Sequence, residues 1–111
     1  MVFDWAKEIE NPVTICDETG IIIYMNLASA NQFENYGGVD LIGSNLLDCH
    51  PEPSKSKLTE MLKKQTSNSY IIEKNGKQKL IHQTPWYEEG KFKGLVEVSI
   101  RFDGKIPTFK R

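Results

Sequence analysis

The chain has 111 residues, of which 39% are hydrophobic and 26% charged, and its formal net charge is −1. This length suits a single domain, and the near-neutral charge gives no electrostatic reason to expect nucleic acid or a membrane surface as a partner. No segment has the basic flank and apolar core of a signal peptide or the length to cross a bilayer. Two cysteines do not make a disulfide framework. We therefore expect one cytoplasmic domain over residues 1–111.

The first part of the chain predicts a short helix and then a β-hairpin. Residues 3–10 place apolar side chains near one helical face before an Asn-Pro pair ends the helix. Two runs rich in β-branched residues flank the turn D-E-T-G at 17–20, so residues 13–25 predict a hairpin. Asn26 is the expected N-cap of the helix that follows.

The rest of the chain predicts short helices, one longer helix and a three-stranded meander. Leu58, Met61 and Leu62 recur at helical spacing in the longer helix. The turn N-G at 75–76 and the turn E-E-G-K at 88–91 separate the three strands. Two groups of strands around a block of helices predict an α+β domain, in which one antiparallel sheet carries the helices on one face.

Several segments together resemble the PAS family of sensory domains over residues 3–102. They are "DETGIIIYMN" leading into a helix, "LIG" at 41–43 and "TPWYEEGKFKG" at 84–94. The segments "DCHPEPS" and "LVEV" are similar to a subset of PAS domains with a Cys-His-Pro segment before the long helix. The resemblance implies a PAS-like five-stranded antiparallel sheet with helices on one face, a core at 13–102 and a tail at 103–111. It also implies a sensory or signalling role without catalysis.

The resemblance further implies a ligand cavity between the sheet and the helices. Positions that match Glu97 and Ser99 point into the PAS cavity, although strand alternation alone would place the core on the opposite, valine-rich face. A buried Glu97 needs a partner, and His50 is the candidate. The alternatives are a solvent-facing Glu97, a packed Cys49 and a structural His50. The residues expected to line the cavity are Cys49, His50, Ile71, Ile81, Gln83, Glu97 and Ser99.

The opposite face of the sheet is expected to be an apolar patch, which the N-terminal helix, a homodimer partner or another signalling protein would cover. Trp5 and Trp86 suit an interface better than a cofactor site. The tail lacks the Asp-Ile-Thr motif that leads many PAS domains into a signalling helix and leaves no room for an effector domain, so we expect output through association. The expected interface residues are Phe3, Trp5, Leu80, Trp86, Val96, Val98 and Ile100.

The sequence favours an organic small molecule over haem or flavin as the ligand. Haem-binding PAS domains take their histidine from a more helical context than "CHPEP", and the Asn-Cys-Arg-Phe type of motif found in photosensory flavin domains is missing. The sequence has no zinc-ligand spacing, catalytic triad or phosphate loop, so we expect neither a metal nor an enzyme. Two alternatives stay open: a ligand-free dimerisation or docking module, and a small enzyme that uses Cys49, His50 and Glu97.

Overall fold

The computed structural model describes residues 3–111, which form one five-stranded antiparallel sheet with all the helices between its second and third strands. The elements in chain order are β1 (Val13–Cys16), β2 (Ile22–Met25), α1 (Leu27–Gln32), two 3-10 turns (Glu34–Tyr36 and Gly38–Leu41), α2 (Leu46–Cys49), α3 (Ser54–Lys64), β3 (Asn68–Lys74), β4 (Lys77–Glu88) and β5 (Lys91–Phe102). The strand order is β2-β1-β5-β4-β3, so the pairing of β1 with β5 joins the first hairpin to the later meander. The predicted α+β class and sheet are confirmed. Among the described residues, no helix is long and apolar enough to cross a membrane.

Local sequence accounts for two of the turns. The Asp17 carboxylate accepts hydrogen bonds from the backbone N–H groups of Thr19 (2.9 Å) and Ile21 (3.0 Å), which closes the turn between β1 and β2. Asn75 and Gly76 have φ angles of 54° and 76°, as a two-residue type I′ turn requires. Both turns were predicted from the sequence, because each depends on residues close together in the chain.

The N-terminal helix predicted over residues 3–10 is not formed, and the segment contains a turn instead. In an α-helix, the carbonyl groups of Ala6 and Lys7 would accept from N–H groups four residues further on. Here the Ala6 carbonyl accepts from the side-chain amide of Asn26 (2.8 Å), and the Lys7 carbonyl accepts from the backbone N–H of Leu27 (3.1 Å). These long-range bonds hold the segment against the start of α1.

Helix α3 packs on one face of the sheet, which we call the inner face. Leu58 and Met61 of α3 contact Cys16 of β1 and Leu95 of β5, and all four side chains are buried. Because side chains alternate along a strand, β5 puts Leu95, Glu97 and Ser99 on the inner face, and Val96, Val98 and Ile100 on the opposite, outer face. The inner face is thus the one that the family resemblance implies.

Candidate functional site

A cavity of about 610 Å³ lies between the inner face of the sheet and the short helices. This volume is within the range of small-molecule sites in proteins. Its walls are mostly apolar and come from separate elements. They include Ile22 and Met25 on β2, Phe33 after α1, Leu46 on α2 and Leu58 on α3.

Four of the seven residues expected to line the cavity border it. Cys49 and His50 approach from the end of α2, and Gln83 and Glu97 approach from β4 and β5. Gln83 lies directly opposite Glu97 in the sheet register, so these two side chains reach the cavity side by side. The cavity therefore has one polar corner on the sheet and a second on the helical wall.

Backbone hydrogen bonds to β2 position the helical wall. The Ile22 N–H donates to the carbonyl of Ser44 (2.9 Å), and the Gly43 N–H donates to the carbonyl of Ile22 (2.8 Å). Asn45 then caps α2, since its side chain accepts from the backbone N–H of Leu47 (2.9 Å). The short helix is consequently fixed to the sheet edge at its beginning, and its far end carries Cys49 and His50.

The other three expected residues do not border this cavity. The placement of Ile71 was wrong: it pairs with Leu80 on the outer face, and 55% of its surface is exposed. Ile81 and Ser99 lie opposite each other on the inner face and are buried, but neither is part of the 610 Å³ cavity. Ser99 instead borders a second cavity of about 450 Å³, together with Arg101.

Glu97 has a different partner from the one suggested by the sequence. Its carboxylate accepts a hydrogen bond from the Gln83 amide (2.8 Å), and the Gln83 carbonyl oxygen accepts from the Asn68 amide (3.3 Å). Among residues 3–111, no hydrogen bond or ion pair joins Glu97 to His50. The proposed pairing of these two residues was therefore wrong, and the sheet itself supplies the partner for Glu97.

His50 is bound to its own helix. Its Nδ1 lies 2.6 Å from the carbonyl oxygen of Leu46. A carbonyl oxygen can only accept, so Nδ1 carries the proton. Cys49, the preceding residue, is exposed. The two side chains thus sit at the same end of α2 without forming a hydrogen bond to each other.

Strand β1 forms a cavity wall that the sequence reasoning missed. Thr14 and Cys16 border the cavity, and the Thr14 hydroxyl shares a hydrogen bond with that of Ser29 on α1. Burial raises the pKa of the Cys16 thiol to about 11. The signal available in the sequence was alternation, which puts Thr14 and Cys16 on one face of β1. The pairing of Thr14 with Glu97 makes this the inner face.

The residues predicted for an interface lie on the outer face or in the N-terminal segment. Phe3 and Trp5 are 84% and 62% exposed. The Trp86 indole N–H donates to the carbonyl of Cys16 (3.1 Å), which fixes the ring over β5. The remaining predicted residues are the half-buried Leu80, Val96 and Val98 and the exposed Ile100. Together they leave an apolar surface on the outer face.

No group of three or more metal-ligating side chains occurs within the part of the chain that the structure describes. Its two cysteines are free thiols at separate places, Cys16 buried and Cys49 exposed. The cavity itself has mostly apolar walls and a few polar groups.

Comparison with solved structures identifies the fold. The PAS domain of BvgS from Bordetella pertussis matches with a TM-score of 0.66 at 14% identity, covering 89% of this chain and 82% of that one. The Aer2 receptor from Vibrio cholerae, described as a dual PAS-haem oxygen sensor, matches with a TM-score of 0.62 at 15% identity, covering 82% and 93%.

The PAS domain of nitrogen regulation protein NR(II) from Vibrio parahaemolyticus also matches, with a TM-score of 0.58 at 16% identity over 86% of this chain and 90% of that one. At the level of sequence, no protein-family model and no curated protein matches the chain. The chain has the PAS fold, as the resemblance implied. These identities are low, so the match concerns the fold.

Proposed function

We propose that this PAS-fold domain is a sensor that binds a small organic molecule between its sheet and its short helices. The observation that carries the proposal is the cavity of about 610 Å³, at which His50, Gln83 and Glu97 meet apolar walls. Such a site combines apolar area for affinity with a few polar groups for orientation. The domain does not catalyse a reaction on its ligand.

Ligand binding acts by shifting a conformational equilibrium. The cavity is bordered by Glu97, whose neighbours Val96 and Val98 face the outer side of the sheet. A ligand that favours one packing of the short helices against β5 therefore also favours one arrangement of the outer face. The shift is limited by the difference in ligand affinity between the two arrangements. A signalling protein or a second copy of the chain then responds to the changed surface.

The position of His50 favours an organic ligand over haem, because helix α2 ends at Cys49 and His50 follows the helix instead of lying within it. The bond from Nδ1 to the Leu46 carbonyl leaves Nε2 free, and a histidine held in this way is able to bind a metal. The absorption spectrum separates the two ligand classes, because a bound haem absorbs strongly in the visible range and a colourless metabolite does not.

A ligand-free docking module is the second candidate function, and the outer face is the observation that favours it. Ile71 and Ile100 are exposed there beside the half-buried Leu80 and Val98. A contiguous apolar surface of this kind is typical of an interface. In that case the protein is a homodimer through the outer face, and a charge introduced by Ile100→Lys makes it monomeric without unfolding it.

Native mass spectrometry of the protein as purified, together with its absorption spectrum, distinguishes these functions. A bound mass that is lost on unfolding supports the sensor and identifies the ligand class. A ligand-free dimer that Ile100→Lys dissociates supports the docking module. A ligand-free monomer that binds no small molecule contradicts both.

A further inference from the structure

The Glu97 carboxylate at the cavity has one oxygen that no protein group donates to among residues 3–111. Glu97 uses one carboxylate oxygen, Oε1, to accept from Gln83. The Gln83 amide is oriented by its other bond, because its carbonyl oxygen receives the Asn68 amide N–H. The Asn68 amide therefore donates to Gln83, and the Gln83 amide donates in turn to the Glu97 carboxylate. The second oxygen, Oε2, has no hydrogen-bond partner among residues 3–111.

Among residues 3–111, no other polar group bordering the cavity donates to that oxygen. Tyr36, which also borders the cavity, makes no hydrogen bond to Glu97. The Thr14 hydroxyl is engaged with the hydroxyl of Ser29. The His50 ring donates from Nδ1 to the Leu46 carbonyl, which leaves Nε2 as an acceptor in the neutral ring.

The cavity lining also contains no lysine or arginine to balance Glu97, and His50, which borders the cavity, is bonded to the Leu46 carbonyl and not to that carboxylate. Within the described chain the ion pair present is Lys64–Glu60, on the exposed surface of α3. Glu97 is half-buried and borders mostly apolar walls, so water screens its interaction with a bound cation less than at the open surface. Gln83 supplies one hydrogen bond to this carboxylate, from a neutral donor.

We infer that the ligand is an amphiphile with an apolar or aromatic body and a cationic nitrogen, and that this nitrogen donates to the free oxygen of Glu97. The inference rests on the proposed function, because it concerns the ligand of the same cavity. The apolar side chains of Met25, Phe33 and Leu46 receive the body of the ligand. An anionic ligand is excluded by repulsion from Glu97, and a neutral isostere loses the charge-assisted hydrogen bond.

Matched probes test the charge of the ligand separately from binding. Tryptamine, tryptophol and indole-3-acetate share a ring and differ in charge, and 1-naphthylmethylamine, 1-naphthalenemethanol and 1-naphthoate do the same on a second scaffold. Dissociation constants are measured by NMR titration on the wild type, on Glu97→Gln and on Glu88→Gln. The last variant removes an exposed carboxylate elsewhere on the sheet and controls for surface attraction.

We expect each amine to bind at least roughly tenfold more tightly than its alcohol, the value of one charge-assisted hydrogen bond, and each acid to bind least. Glu97→Gln, which still accepts from Gln83, should remove the advantage of the amine, and Glu88→Gln should keep it. The charge inference is overturned if the alcohols or acids bind as tightly as the amines, or if the amines keep their higher affinity in Glu97→Gln. Either result leaves the proposed sensor function in place. Failure of all six probes to bind at millimolar concentration counts against the sensor itself.

Discussion

Gln83 on β4 and Glu97 on β5 lie directly opposite each other on the inner face of the sheet, where the Gln83 amide donates to the Glu97 carboxylate at 2.8 Å. Gln83 is only 6% exposed, so water cannot easily replace Glu97 as its acceptor. Glu97→Ala should therefore lower the free energy of unfolding by about 1–3 kcal/mol, the cost of an unsatisfied buried donor. Urea denaturation measures the change.

A second Gln–Glu pair in the same sheet is the matched control for this prediction. Gln78 on β4 donates to Glu73 on β3 at 3.2 Å, but that pair is exposed. Glu73→Ala should change the free energy of unfolding by no more than about 0.5 kcal/mol. Equal effects of Glu97→Ala and Glu73→Ala would contradict the account of Gln83 as a buried donor.

Gly94 is required where β5 passes β1. Its φ is 142°, and a Cβ atom at this position would lie 1.9 Å from the carbonyl oxygen of Cys16. Gly94→Ala should therefore destabilise the fold by about 3 kcal/mol or more, since steric overlap with backbone adds to the conformational cost.

Gly90→Ala is the control, because Gly90 also has a positive φ (78°) but nothing within 4 Å of its Cβ position. Its cost should be about 1 kcal/mol. Thermal and urea unfolding compare the two, and similar costs would show that no close approach exists.

Asn26 joins three parts of the chain through one buried side chain, which is 1% exposed. Its oxygen accepts from the backbone N–H groups of Val13 and Ser29, both at 2.9 Å. Its amide nitrogen donates to the carbonyl oxygens of Ala6 and Asn11, both at 2.8 Å. The side chain thereby caps α1 and holds β1 and the N-terminal segment in place.

Replacing Asn26 by alanine should cost about 2–4 kcal/mol, because the loss of a helix cap is added to buried backbone groups left without partners. Asn45→Ala, which removes the cap of the four-residue helix α2, should cost about 1 kcal/mol or less. Chemical denaturation of both variants gives the comparison. An Asn26→Ala protein as stable as Asn45→Ala would mean that the four hydrogen bonds do not act together.

The two cysteines should differ in reactivity. Burial raises the pKa of Cys16 to about 11, so little of its thiol is ionised at pH 8, whereas Cys49 is exposed. Iodoacetamide should add one group to the native protein and two in denaturant, as intact mass spectrometry records. Cys49→Ser should abolish the native addition. If Cys49 reacts with iodoacetamide much faster than glutathione does, and if that rate falls when His50 is replaced, the result supports the thiol-enzyme alternative instead.

The position of Ile71 could have been obtained from the sequence, because it depends on a local turn. The two-residue turn at 75–76 pairs Lys74 with Lys77, and counting outward along both strands pairs Ile71 with Leu80. Leu80 is predicted on the outer face, so Ile71 belongs there too. The hydrophobic residues of β3 do not by themselves define this register, whereas the turn does.

The pairing of Gln83 with Glu97 could not be obtained in the same way. The turn after β4 pairs Glu88 with Lys91, but a bulge between Trp86 and Tyr87 shifts the register by one residue. Counting from the turn alone would place Gln83 opposite Val96, on the wrong face. The bulge depends on packing between strands, and no local residue pattern marks it.

The N-terminal segment shows a further limit of local reasoning. The apolar spacing over residues 3–10 is compatible with a helix, but its carbonyl groups bond to Asn26 and Leu27, about twenty residues later in the chain. Asn26 itself was correctly predicted as a cap from its neighbours. Its bonds to Ala6 and Asn11 depend on how the hairpin folds back, which the sequence around Asn26 does not reveal.

Methyl NMR of the three methionines tests most directly whether a small molecule enters the cavity. Met25 borders the cavity, whereas Met61 is fully buried in the core under α3 and is not part of the cavity wall. With methyl-¹³C-labelled methionine, titration with tryptamine should shift the Met25 signal saturably through the ring current and leave Met61 almost unchanged. A Met25 signal that stays in place with tryptamine alone would contradict the cationic ligand, and one that stays in place with all six probes at millimolar concentration would contradict the proposal that this domain binds its ligand between sheet and helices.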